Sequence, residues 1–201
     1  MQNTGLPTGS FTIIPGVMPV DVPSWVSTNF IKGRLSEDRR AGLAGAFSAH
    51  YRAWEKIVAD GDAGGIVLES DAALCRNLPK AKDFPDSGIT ALGGNFRFTA
   101  TADMKDPTVF KWLGNIEGPL FDVKGLVWIN CVAYYIPPGM AKFLVKMAME
   151  DGRKLRSPDN WLSNMKLVQH AVWPPPFLTQ EGTSNIVRSQ KQDGGSDLYL
   201  C

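Results

Sequence analysis

The chain lacks the features that mark several protein classes. It has three cysteines, Cys75, Cys131 and Cys201, whose wide spacing fits neither a paired metal motif nor a disulfide-rich scaffold. An odd number of scattered thiols is typical of a reducing compartment. No apolar run approaches the ~20 residues that cross a bilayer, and no basic and then apolar leader opens the chain. We therefore expect a cytoplasmic protein with no membrane span.

The chain also has little net charge. Lys and Arg number 21 and Asp and Glu number 20, which gives a formal net charge of +1. This balance produces no strong field for nucleic acid or an anionic membrane. The sequence also has no internal repeats. Its length suits one domain with a sizeable core, which we expect to span residues 1–201 with loose tails at 1–10 and 188–201.

Residues 45–74 carry the strongest pattern. Phe47, Tyr51, Trp54 and Val58 recur at three- and four-residue steps, which predicts a helix with one apolar face. Glycines and aspartates between positions 60 and 65 then end the helix and turn the chain. The following apolar run, Ile66–Leu68, predicts a short buried strand.

Two carboxylates, Glu69 and Asp71, follow this strand with Ser70 between them. Ligands in α/β proteins bind beyond the carboxyl ends of the strands, and side chains two residues apart on an extended chain point the same way. Such a pair offers hard oxygen ligands to Mg²⁺ or Mn²⁺, and the ion can hold a diphosphate. The alternative interpretation is a solvated loop with two surface acids.

His50 lies on the apolar face of the predicted helix, three residues after Phe47 and four before Trp54. On this position alone it is either a core histidine with satisfied hydrogen bonds or a residue close to the site. Asp159, which follows Pro158, is either a helix cap or a reactive acid. A lone histidine such as His170 is more often structural than a metal ligand.

Several blocks of the sequence resemble glycosyltransferase family 25, which includes lipooligosaccharide-biosynthesis enzymes and collagen galactosyltransferases. The family has a segment of the form G-C-x-x-S-H-x-x-x-W-x-x-I, followed by a strand that ends in L-E-D-D. Ala46, Ala49 and Ser70 depart from this pattern, and the family's N-terminal loop of the type I-N-L-D-R has no counterpart here. The residues that fit it are Gly45, His50, Trp54, Ile57, Leu68, Glu69 and Asp71.

The resemblance continues in ordered blocks as far as Ile186. A second strand, Ile89–Leu92, is followed by a Gly-Gly turn, and the strand region Leu126–Ile136 precedes a helix, Gly139–Glu150. The last block is similar to P-x-L-x-x-Q-x-x-x-S-x-I. The family implies an α/β fold of the GT-A type, with a central, mostly parallel sheet flanked by helices.

By this resemblance the protein is a hexosyltransferase that moves a sugar from a nucleoside diphosphate, such as UDP, to an acceptor hydroxyl. Glu69 and Asp71 would hold Mn²⁺ or Mg²⁺, and Asp159 would be the base of an inverting reaction. The implied donor-side residues are His50, Gly93, Gly94 and Asn95. Three further candidates are His170, Gln180 and Ser184.

The sequence leaves two possible kinds of acceptor, and one alternative to enzymatic activity. A glycan or lipooligosaccharide is the family's acceptor, whereas a hydroxymethylated base in viral DNA would require a basic groove. The alternative to an enzyme is an inactive module that binds a sugar nucleotide, since the middle acid and the N-terminal motif are missing. The residues that would line a basic groove are Lys80, Lys82, Arg97, Lys105 and Lys111.

Overall fold

The computed structural model describes residues 12–29, 36–79, 81–98, 120–123, 126–150, 155–172 and 175–179. Within these ranges the helices are α1 (Ser24–Asn29), α2 (Glu37–Ala59), α3 (Met140–Glu150) and α4 (Pro158–Asn164). The strands are β1 (Gly65–Leu68), β2 (Ala72–Leu74), β3 (Ile89–Ala91), β4 (Asn95–Phe98), β5 (Leu120–Asp122), β6 (Leu126–Ile129), β7 (Ala133–Ile136), β8 (Val168–Val172) and β9 (Phe177–Thr179).

Helix α2 ends where the sequence predicts, and a serine caps its start. The hydroxyl of Ser36 accepts a hydrogen bond from the backbone N–H of Arg39, 3.4 Å away, which caps the first turn. Gly61 and Asp62 adopt φ values of 103° and 54°, a left-handed conformation in which the helix cannot continue. The helix therefore delivers the chain directly into β1.

The main sheet has five strands in the order β1-β7-β3-β8-β5. Only β3 and β8 pair in parallel, and the other three pairings are antiparallel. The α/β class is confirmed, but the prediction of a mostly parallel sheet is wrong. Parallel neighbours need a crossover, usually through a helix. The link from β1 to β3 contains β2 and a 3-10 turn instead of a helix. In the sheet, β7 lies between β1 and β3 and is antiparallel to both of these strands.

The predicted strand region Leu126–Ile136 is a strand pair rather than one strand. Asn130 has a φ of 56°, so the chain turns there, between β6 and β7. Strand β6 pairs with β4, whereas β7 enters the main sheet between β1 and β3. The connection between these strands, residues 130–132, thus lies beside the end of β1.

Both faces of the sheet carry buried apolar residues. Val67, Tyr134 and Ile136 share one apolar cluster with helices α1 to α4. Their alternating neighbours, including Ala133 and Tyr135, belong to a second cluster that contains no helix residue of the described ranges. The described helices therefore pack on one face of the sheet. None of them combines the length and the hydropathy of a bilayer-spanning segment.

Candidate functional site

Helix α2 carries His50 into the core. Phe47, Tyr51 and Trp54 lie on the same face and are almost fully buried, so the helix is fixed in rotation against the sheet. His50 is only 6% exposed. Its Nδ1 lies 2.8 Å from the hydroxyl of Tyr134 on β7, and Trp54 Nε1 donates to the same hydroxyl at 2.9 Å. These contacts fix the imidazole ring.

The acid pair lies in a tight turn after β1. The backbone N–H of Glu69 donates to the carbonyl of Val132, and that of Ala72 donates back to the carbonyl of Glu69. The alternation of an extended strand therefore does not apply to Glu69 and Asp71. Glu69 is 36% exposed, whereas Asp71 is 7% exposed.

Asp71 is a buried acid with an unsatisfied oxygen. Its Oδ1 has no hydrogen-bond partner among the described residues. Burial, and then the neighbouring charge of Glu69, raise the pKa of the Asp71 carboxyl. A buried carboxylate without a partner is costly, so a cation or a donor at this position would stabilise it.

The free side of the His50 ring faces Glu69 and Cys131. His50 Nε2 lies 3.3 Å from Glu69 Oε1, and Cys131 Sγ lies 3.8 Å from His50 Nε2. One ligand atom from each of these three residues falls within 4.8 Å of the other two. Asp71 and His170 do not belong to this group, so the closest set of ligand atoms differs from the predicted pair.

Cys131 was not among the residues that the sequence singled out for a site. It is 2% exposed and lies in the connection after β6. Burial, followed by the charges of Glu69 and Asp159, raises the pKa of its thiol. Cys131 is a free thiol. The expectation of a reducing compartment stays a prediction.

An open cleft of about 700 Å³ lies between α2 and β1. Small residues of α2, Ala46, Ala49 and Ala53, form one wall, and the turn after β1 forms another. Residues 12–14 and Gly16 close a third side. His50, Glu69 and Asp71 all line this cleft. Its volume lies in the range of small-molecule sites, about 300–1,000 Å³.

The Gly93-Gly94 turn packs against the protein itself. Gly94 has a φ of 97°, and a Cβ there would lie 2.1 Å from the carbonyl oxygen of Asn130. A Cβ on Gly93 would lie 2.8 Å from the carbonyl oxygen of Phe177. Packing thus accounts for both glycines. Neither glycine lines the cleft. Asn95 is the first residue of β4. The donor-binding role of all three stays a prediction.

Asp159 stabilises the turn that follows β6 by a hydrogen bond. Its Oδ2 accepts a hydrogen bond from the backbone N–H of Asn130 at 3.0 Å, and its Oδ1 accepts one from the N–H of Asn160 at 2.8 Å. The N-cap of α4 is Ser157, so Asp159 lies in the first turn rather than at the cap. Both oxygens therefore have structural partners, and the role of base stays a prediction.

The remaining candidates lie elsewhere. His170 is in the middle of β8, in register with Thr90 on β3 and Asp122 on β5. Its Nε2 is buried and has no hydrogen-bond partner among the described residues. Gln180 and Ser184 lie outside those residues.

No protein-family model matches the sequence, and a search of curated proteins found no match. The resemblance to glycosyltransferase family 25 therefore rests on the sequence blocks described above. The site itself combines an open cleft, a buried acid and a cluster of His, Glu and Cys. This chemistry suits a bound cation, and the cleft leaves room beside it for a small-molecule ligand.

Proposed function

We propose that this protein is a metal-assisted glycosyltransferase with a GT-A-like fold, which takes a sugar from a nucleoside diphosphate such as UDP. One observation carries the proposal: Asp71 is buried beside Glu69 in the cleft, and its Oδ1 has no partner among the described residues. A divalent cation would give this oxygen a partner and would offset the repulsion between the two carboxylates.

The residues present fit a hard cation. Glu69 and Asp71 supply carboxylate oxygens, which Mg²⁺ and Mn²⁺ prefer, and the open cleft leaves room for water and phosphate oxygens. When bound, the cation would stabilise the negative charge that develops on the leaving diphosphate. The sequence resemblance supports the identity of this leaving group.

The chain's own side chains have distinct tasks in this proposal. His50 holds Glu69 by the 3.3 Å contact to Oε1 and is itself held by Tyr134. The small side chains of α2 leave space for the donor along the cleft. Asp159 would be the base on the acceptor side, which requires it to exchange a backbone hydrogen bond for the acceptor hydroxyl. The acceptor that the resemblance favours is a glycan or a lipooligosaccharide.

An inactive module that binds a sugar nucleotide is the second candidate. The specific observation in its favour is Asp159, whose two oxygens both accept backbone hydrogen bonds. A DNA acceptor has less support, because Lys82 is the one residue of the predicted basic groove whose side chain falls within the described part of the chain.

The test is calorimetric titration of UDP-sugars and other nucleotide sugars, with and without Mn²⁺, on the wild type and on Asp71→Asn. We expect one donor to bind only with the metal, and its affinity to fall at least about tenfold in Asp71→Asn, which keeps the shape but loses the charge. Asp21→Asn, at an exposed acid that is distant from Asp71 in sequence, is the matched control and should bind like the wild type. Failure of every nucleotide sugar to bind the folded wild type would refute the proposal.

A binding result leads to the second measurement, which separates enzyme from module. Donor hydrolysis or transfer that is lost in Asp159→Asn, with donor affinity unchanged, would support Asp159 as the base. Tight binding without any turnover, on glycan and DNA acceptors alike, would favour the inactive module.

A further inference from the structure

Three distant parts of the chain bring different ligand types together beneath the cleft. His50 comes from α2, Glu69 from the turn after β1, and Cys131 from the connection between β6 and β7. Each residue offers one ligand atom within 4.8 Å of the others. The set contains one imidazole nitrogen, one carboxylate oxygen and one sulfur. Such a mixed set is not what a solvated acidic surface provides.

Two of the three distances between the ligand atoms are close to those around a tetrahedral ion. With bonds of about 2.0–2.1 Å to nitrogen and oxygen and about 2.3 Å to sulfur, such an ion holds nitrogen and oxygen about 3.3 Å apart and nitrogen and sulfur about 3.6 Å apart. The distance from His50 Nε2 to Glu69 Oε1 is 3.3 Å, and that from His50 Nε2 to Cys131 Sγ is 3.8 Å. The third, between a Glu69 oxygen and Cys131 Sγ, is within 4.8 Å, and these two side chains would approach each other when an ion binds.

We propose that His50, Glu69 and Cys131 bind a single zinc-type ion, with a fourth position open to the cleft. Imidazole and thiolate select Zn²⁺ over Mg²⁺ and Mn²⁺, which prefer oxygen alone. Three protein ligands and one open position are the arrangement of zinc sites that bind a water or a substrate. This site goes beyond the proposed function, because it takes a different class of ion and does not use Asp71.

The surroundings of His50 are those of a metal-binding histidine. The ring nitrogen of such a histidine that does not bind the metal usually forms a hydrogen bond with an oxygen, which fixes the ring. Here that oxygen is the hydroxyl of Tyr134, 2.8 Å from Nδ1, in a side chain that is fully buried. Trp54 Nε1 fixes the hydroxyl in turn at 2.9 Å. Nε2 therefore remains as the nitrogen that can bind an ion, and it faces Glu69 at 3.3 Å. Cys131 Sγ lies beside the ring, 3.8 Å from Nε2 and 3.9 Å from Nδ1.

The site has an entrance and a closed interior. His50 and Glu69 line the cleft, whereas Cys131 does not and is 2% exposed. When the sulfur binds the ion, the thiol proton leaves to solvent.

Cobalt(II) is the probe for this proposal, because a thiolate bound to Co²⁺ produces a charge-transfer absorption band. The full chain, stripped of metal by a chelator, is titrated with Co²⁺ alone. We expect one equivalent to bind with this band and with the visible bands of a tetrahedral site, and Zn²⁺ to displace it. Cys131→Ser should lose the charge-transfer band, and His50→Gln should weaken binding at least about tenfold.

Asp21→Asn, at an exposed acid that does not line the cleft, is the matched control and should keep both the band and the affinity. Glu69→Gln, a change at the mouth of the cleft, tests the site if Cys131→Ser does not fold. It should keep the band at saturation but bind at least about tenfold more weakly. A wild type without the band would overturn the proposal, and so would a band that persists in folded Cys131→Ser. No nucleotide sugar enters this titration, so its outcome is independent of the proposed transferase activity.

Discussion

Tyr51 is the residue for which pH has the clearest expected effect. It is buried on α2, against the edge of the Trp25 ring at a centroid distance of 5.0 Å. Burial, and then the charge of Glu55 one turn further on, raise the pKa of Tyr51 from 10.0 to about 12. The folded chain therefore keeps the phenol proton at a pH at which the unfolded chain has released it.

This shift predicts a loss of stability at alkaline pH. The contribution of Tyr51 is fully present below the unfolded pKa of 10.0 and is lost as the pH rises towards the folded value of about 12. Urea unfolding measured from about pH 8 to about pH 11 should show a smaller decrease in Tyr51→Phe than in the wild type. Equal pH dependence of the two proteins would contradict the assignment.

At the scale of the element, helix α2 contains two glycines in different surroundings. A Cβ on Gly42 would meet nothing within 4 Å, whereas a Cβ on Gly45 would lie 2.5 Å from the backbone carbonyl oxygen of Val17. Gly45 thus allows residues 12–18 to cross the helix closely, beside the cleft. This contact gives a structural reason for the glycine that also fits the family motif.

The pair provides a matched test within one helix. Gly42→Ala should stabilise the protein by about 0.5–1 kcal/mol, because alanine costs less conformational entropy in a helix. Gly45→Ala should destabilise it by about 1–3 kcal/mol, because a backbone atom must move. Thermal unfolding followed by circular dichroism compares the two variants. Stabilisation by both would show that Val17 does not pack against α2 in solution.

At the scale of the whole molecule, Trp54 joins the helix layer to the sheet. It is fully buried, its ring stacks on Trp161 of α4 at 5.7 Å, and its N–H donates to Tyr134 on β7. One side chain therefore joins its own helix to two elements that are far apart in sequence. Its removal leaves a cavity and takes one of two hydrogen-bond partners from the Tyr134 hydroxyl, the other being His50.

Trp54→Ala should lower the free energy of unfolding by about 3–5 kcal/mol. Trp25→Ala is the control, since Trp25 is only half-buried at the edge of the same cluster, and it should cost about 1–2 kcal/mol. Urea unfolding followed by far-ultraviolet circular dichroism avoids the change in tryptophan fluorescence. Similar losses in the two variants would mean that Trp54 does not connect the layers.

Local features of the structure followed from the sequence alone. The end of α2 before Gly61 and strand β1 both depend on periodicity and turn residues that lie within a few positions of one another. The acid pair at the end of β1 and the turn at Gly94 were predicted for the same reason. Each of these depends on contacts that are short in sequence.

Only the tertiary structure decided which side chains meet. Cys131 reaches His50 across 81 residues because β7 enters the main sheet between β1 and β3. Strand direction, the burial of Asp71 and the structural bonds of Asp159 depend on that same order of strands. Periodicity records which face of a segment is apolar, but it does not record which segment will cover that face. The sequence alone thus determined helix α2, strand β1 and the acids that follow it, and the packing of the sheet decided that a histidine and a thiol join them.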